Sequence, residues 1–166
     1  MTDATRRASS PPALPWHDPD RWQRLRRGDR CPLCALSPAE IAFGLDTAIV
    51  RVPETACVAG YACVIHRRHV VELHHLTIEE AAAFVHDANR VAAAVEQLTG
   101  ASKINLLSLG NLVPHLHVHI CPRRPGDAFD GRAIDPGQTR TDAYTPAEHA
   151  DFLRRLRAAF QSGSAC

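Results

Sequence analysis

Between Ala81 and Val95 the residues Ala81, Phe84, Val85, Ala88, Val91, Ala92 and Val95 return at intervals of one, three and four, the spacing of one helix face. Thr77 is a good N-cap, Glu80 completes a capping box, and Gly100 ends the run, so a long helix is predicted from Thr77 to about Leu98. A later helix begins near Pro146, with Thr145 as cap, Glu148 as its partner, and Phe152, Leu153, Leu156 and Phe160 as its apolar stripe. A short helix from Asp18 to Arg27 is predicted from the capping Asp18 and from Pro19 at the first position. Elsewhere the pattern is that of strands: Thr47 to Val52, the uniformly apolar Gly60 to Ile65, and Lys103 to Leu109. Gly110-Asn111 makes a turn, and Pro114 opens a segment from His115 to Cys121. Strands, one long helix, then more strands imply an α+β fold with an antiparallel sheet of about five strands, a long helix and a C-terminal helix.

Composition narrows this picture. A chain of 166 residues makes one compact domain. Residues 1–17 are polar and rich in Pro and Ser, and read as a disordered or loosely attached arm before a single domain over 18–166. No apolar run reaches the roughly 20 residues of a membrane helix. The N-terminus has no apolar core of a secretory signal, which places the chain in the cytoplasm without a membrane partner. Nineteen Lys and Arg against 18 Asp and Glu give no reason to expect nucleic acid as a partner. In the cytoplasm the six cysteines are expected as thiols or metal ligands.

Ten histidines then change the reading. In His115-Leu116-His117-Val118-His119-Ile120 polar and apolar positions alternate strictly, so a strand puts three imidazoles on one face. Three adjacent imidazoles cannot all be charged, so their pKa values must spread. That suits a neutral nucleophile beside a protonated donor. The plainer reading is a row of solvent-facing histidines. His74 and His75 are expected in a surface loop, and His86 and His149 exposed on helices. Cys31-Pro32-Leu33-Cys34 has the spacing of two thiolates on one tetrahedral Zn²⁺, and with no second such pair the other ligands must be histidines. A redox pair or two plain thiols are the alternatives. Cys57, Cys63 and Cys121 are expected as small buried apolar residues.

Pro114-His115-Leu116-His117-Val118-His119-Ile120-Cys121-Pro122-Arg123 resembles the signature of the histidine-triad (HIT) family. Gly60-Tyr61-Ala62-Cys63-Val64-Ile65-His66-Arg67-Arg68-His69 is similar to that family's Gly-His-x-x-Val-Ile-Pro-Lys-x-His strand, and the likeness covers about residues 31–125. It implies a HIT-like fold and a hydrolase attacking the α-phosphate of a nucleoside phosphoramidate or a dinucleoside polyphosphate. It implies His117 as nucleophile forming a covalent nucleotidyl-histidine, His119 on the leaving group or non-bridging oxygens, and His115 orienting His117. Nucleotide-binding groups would be His117, His119, Gly110, Asn105 and Asn111, the last in place of a usual polar side chain, with a purine base favoured. Arg67, Arg68, Arg123 and Arg124 are the cations available to a polyphosphate, with an ordinary solvated face as the equal alternative. Relatives that hold a structural zinc imply Cys31, Cys34, His69 and His115 as its ligands. The usual Pro is His66 here, and Glu54 is the nearest acid to the usual ribose-binding position. Two-fold dimers joined through the long helix and the following strand are common in the family, which implies a homodimer; alanines at 81–83, 88 and 92–94 let the helix pack closely on two sides, or else only reflect high helix propensity on an exposed face. A binding module with little turnover, or a small zinc protein with structural histidines, are the competing functions.

Overall fold

A computed structural model describes residues 14–161. Residues 1–13 of the expected arm, and Cys166, lie outside them. Five strands form one antiparallel sheet: β1 (Phe43–Gly44), β2 (Ala48–Arg51), β3 (Ala62–His66), β4 (Lys103–Leu107) and β5 (His117–Arg123), in the order β1-β2-β3-β5-β4. Among the described residues three α-helices accompany it: α1 (Pro19–Arg26), α2 (Ile78–Thr99) and α3 (Pro146–Gln161). The α+β architecture with a long helix and a C-terminal helix is as expected. The two-residue β1 carries no sequence pattern of its own.

The capping signals act as read. Asp18 accepts from the Arg21 N–H at 2.9 Å. Thr77 and Glu80 cap each other's backbone groups, and Gly100 closes α2 in the left-handed region at φ 61°. A buried acid that the periodicity does not reveal ties α2 to the sheet. Asp87, 2% exposed, accepts from both the backbone N–H and the hydroxyl of Thr47, in the turn between β1 and β2.

Alternation along β2, β3 and β5 divides the sheet into two faces. Ala48, Val50, Ala62, Val64, Leu116 and Ile120 meet Phe84, Ala88, Val91 and Val95 of α2, and Phe152 and Leu156 of α3 join the same core. The opposite face carries Cys63, Ile65 and Cys121, covered by Tyr61, Cys57, Phe129 and Ile134. Cys57, Cys63 and Cys121 are indeed buried. Among the described residues no helix is long and apolar enough to cross a membrane.

Candidate functional site

Register puts the histidines on the face away from α2. His117 pairs with Ile65, and His119 pairs with Cys63 on one side and Leu107 on the other. The expected strand from His115 is shorter at its start: β5 begins at His117. His115 instead turns back under the sheet and is only 1% exposed. His115 donates from Nε2 to the carbonyl of His66 at 2.7 Å. A carbonyl only accepts, so His115 carries its proton on Nε2 and presents a bare Nδ1.

That bare nitrogen faces a cluster. His115 Nδ1 lies 3.5 Å from Cys31 Sγ and 3.4 Å from Cys34 Sγ, and His69 Nδ1 lies 3.4 Å from Cys34 Sγ. All four donor atoms are within 4.8 Å of one another. His69 is tied in the same way, its Nε2 donating to the Arg26 carbonyl at 3.1 Å. Tetrahedral Zn²⁺ with ordinary Zn–S and Zn–N bonds holds S and N about 3.5 Å apart. The four residues therefore fit a metal, and their second nitrogens already have the carbonyl partners that metal-bound imidazoles use. Burial and the neighbouring Cys31 push the Cys34 thiol up to about 11, the cost of crowding two sulfurs without a cation. Gly28 makes room for this: at φ +89°, a Cβ here would sit 3.2 Å from the His69 ring.

On the open side, His117 donates from Nδ1 to the carbonyl of His115 at 2.6 Å. Its Nε2 is left bare, 3.1 Å from His119 Nε2. For that contact to be a hydrogen bond, His119 must supply Nε2–H. His119 Nδ1 lies 2.7 Å from the Tyr61 hydroxyl. Burial lowers the pKa of His115 and His117, and burial together with His117 takes His119 down to about 4. The expected protonated donor is therefore corrected: all three imidazoles are neutral near pH 7, because each is desolvated and none faces a carboxylate. The pair presents one bare nitrogen beside one N–H, which can attack an electrophile and stabilise an oxyanion.

The other candidates are placed less directly. Asn105 sits on β4 opposite Cys121, on the same face, but its Oδ1 accepts from Arg123 at 3.0 Å. Gly110, with φ +67°, and the exposed Asn111 occupy the turn before the triad. Among the described residues no hydrogen bond joins these three to the histidines. The arginines are engaged elsewhere: Arg67 with the Leu45 carbonyl, Arg68 with Glu80, Arg123 with Asp127, and Arg124 with the Thr99 carbonyl. Arg123 holds Asp127 down to about 2. Glu54 is exposed, and among the described residues no hydrogen bond or ion pair joins it to the triad. His149, expected exposed, is half-buried because its Nε2 reaches the Val52 carbonyl at 3.0 Å. Tyr61 is the residue sequence reasoning passed over. Its signal was its place in the β3 motif, where the family's strand carries histidine.

The family model of the HIT domain matches residues 37–126, more than half of the chain. The Arabidopsis thaliana bifunctional bis(5'-adenosyl)-triphosphatase/adenylylsulfatase FHIT is 28% identical over 97 residues, 55% of this chain and 54% of that protein. The asymmetrical bis(5'-nucleosyl)-tetraphosphatase of Schizosaccharomyces pombe is 34% identical over 73 residues, 41% of this chain and 40% of that protein. The chain thus spans about half the length, or less, of these curated relatives. Among solved structures, histidine triad protein blr8122 from Bradyrhizobium japonicum matches with TM-score 0.63 and 31% identity, over 72% of this chain and 88% of that one. A Zn-bound histidine triad family protein from Mycobacterium smegmatis shares the fold, with TM-score 0.55 and 23% identity over 85% and 92% of the two chains.

Proposed function

This chain belongs to the HIT domain family, and we propose that it hydrolyses a nucleotide at its α-phosphorus with His117 as the nucleophile. The observation that carries this is the tied imidazole: Nδ1–H on the His115 carbonyl leaves Nε2 bare and aimed beside the His119 N–H. The Nε2 lone pair forms a bond to phosphorus, and the bond to the bridging atom breaks with its electron pair leaving on the departing group. The positive charge that develops on the His117 ring is stabilised by the His115 carbonyl. The His119 N–H meets the phosphoryl oxygens. Water then attacks phosphorus, its proton passes to solvent, and the N–P bond returns its pair to Nε2. The activities for which the two curated relatives are named favour a dinucleoside polyphosphate as substrate. Gly110 and Asn111 would contribute to nucleotide binding from the preceding turn, and Asn105 from β4.

The Cys31, Cys34, His69 and His115 cluster would hold zinc, which when bound supplies a structural cross-link between the N-terminal segment and the sheet. We also propose a homodimer through α2 and β4, because β4 is an unpaired sheet edge on which Leu106 is 47% exposed. Turnover of diadenosine tetraphosphate, followed by alkaline quench, which spares the acid-labile N–P bond, and detection of a nucleotidyl adduct on His117, tests the chemistry. No turnover of this substrate or of a nucleoside phosphoramidate would end the hydrolase reading.

A further inference from the structure

Tyr61 is drawn into the reaction centre by the fold. It sits at the entry of β3, only 8% exposed, on the face that carries Cys63, Cys121 and the triad. Its hydroxyl meets His119 Nδ1 at 2.7 Å, with the two ring centroids 5.9 Å apart. The direction of that hydrogen bond follows from its neighbours. The His115 carbonyl fixes the proton of His117 on Nδ1. His117 Nε2 can then only accept, so the 3.1 Å contact requires the proton of neutral His119 on Nε2. His119 Nδ1 is therefore an acceptor, and Tyr61 donates to it.

We propose that Tyr61 is a positioning residue that locks His119 as a neutral Nε2–H donor and thereby makes the site select leaving groups that depart as stable anions. The proposal rests on the nucleotide reading above and sharpens it. A neutral imidazole can stabilise charge through its N–H but cannot give that proton away without becoming an imidazolate. It would escape this only if Nδ1 were protonated at the same time. Tyr61 occupies Nδ1, and burial pushes its phenol far above the ordinary range, so it does not hand over its own proton. An anhydride at the α-phosphorus needs no proton transfer, because its P–O bond breaks to leave a phosphate anion. An alkyl phosphoramidate must receive a proton on nitrogen before or as its P–N bond breaks. The chain's own geometry therefore favours the anhydride and disfavours the amine.

Two measurements test this. Nitrogen-15 NMR of the histidine rings in the substrate-free protein, near neutral pH, reads the His119 tautomer directly. The expected result is Nε2 protonated and Nδ1 as acceptor in the wild type, with Tyr61→Phe releasing Nδ1 so that a fraction of His119 carries a proton on both nitrogens. Steady-state kinetics on diadenosine tetraphosphate and on an alkylamine adenosine phosphoramidate then compare leaving groups. Tyr61→Phe should lower the ratio of kcat/KM for anhydride over phosphoramidate by about tenfold or more, carried by kcat rather than KM. An Nδ1–H tautomer in the wild type overturns the inference even if the variant does not fold. A Tyr61→Phe protein with unchanged His119 protonation and unchanged ratio also overturns it. Wild-type protein with the expected tautomer but no turnover of either substrate overturns the nucleotide reading and the leaving-group selection built on it.

Discussion

The metal cluster and the reaction centre use one device in opposite senses. In the cluster, His69 and His115 give Nε2–H to backbone carbonyls and free Nδ1. In the reaction centre, His117 gives Nδ1–H to a backbone carbonyl and frees Nε2. Nδ1 lies next to the ring's attachment point, so freeing it turns the ligand inward, toward atoms of the fold itself. Nε2 is at the far end of the ring, so freeing it aims the lone pair away from the backbone, toward a substrate. The carbonyl that ties a histidine therefore decides its role. His115 stands in both regions, its ring in the cluster and its carbonyl under His117.

That comparison breaks most visibly by single substitutions on either side of His115. His117→Ala should lower hydrolysis on the order of 10³-fold or more while metal content, read by elemental analysis, stays at the wild-type level. His69→Ala should do the reverse. Its metal affinity should fall by more than the roughly 10–100-fold typical of losing an outer partner, with turnover reduced far less than in His117→Ala. His115→Ala should lose both. A His115→Ala protein that keeps its metal and its turnover would separate the two regions and remove the shared residue from the argument.

Much of this site was legible before the fold. Strict alternation across His115 to Ile120, and the spacing of Cys31 and Cys34, are local signals, because both depend on the period of a strand or of one turn. Cys57, Cys63 and Cys121 were placed correctly as buried from residue type alone, since a thiol without a partner behaves as a small apolar side chain. What the sequence hid depends on pairing. Asp87 reads as a polar interruption on α2, and only its contact with Thr47 shows that it is a clamp. Tyr61 reads as an aromatic strand residue until β3 pairs with β5 and brings its hydroxyl to His119. The protonated donor failed because charge state is set by desolvation, which spacing does not report. The four arginines read either as cations for a polyphosphate or as a solvated face, yet each is bound to a carbonyl or an acid.

A smaller effect sharpens the cluster side alone. Gly28 is in the left-handed region and its missing Cβ leaves 3.2 Å to the His69 ring. Gly28→Ala should cost about 1–2 kcal/mol from backbone conformation, measured by denaturant unfolding. It should also weaken metal retention in chelator competition, because the ring must shift. His117 and His119 are tied through other segments, so the His119 tautomer should stay as in the wild type. Equal disturbance of tautomer and metal would mean that the two regions do not move independently.

The gentlest probe is acid, and it separates the regions by mechanism. Histidine in an unfolded chain titrates near 6.5, whereas burial and the adjacent His117 take His119 down to about 4 in the folded protein. Between those values the unfolded state binds a proton that the folded state does not. Stability therefore rises with pH across the window from about 4 to about 6.5, and falls as the solution is acidified through it. The cluster also weakens in acid, but because protons compete with metal for its ligands, so excess zinc should offset that part. The part owed to His119 is insensitive to zinc and should be missing from His119→Gln. Unfolding free energies measured at intervals from pH 7 to pH 4, with zinc held in excess, should thus fall less steeply for His119→Gln than for the wild type. Parallel curves would show that the desolvated imidazole beside His117 contributes nothing to acid sensitivity.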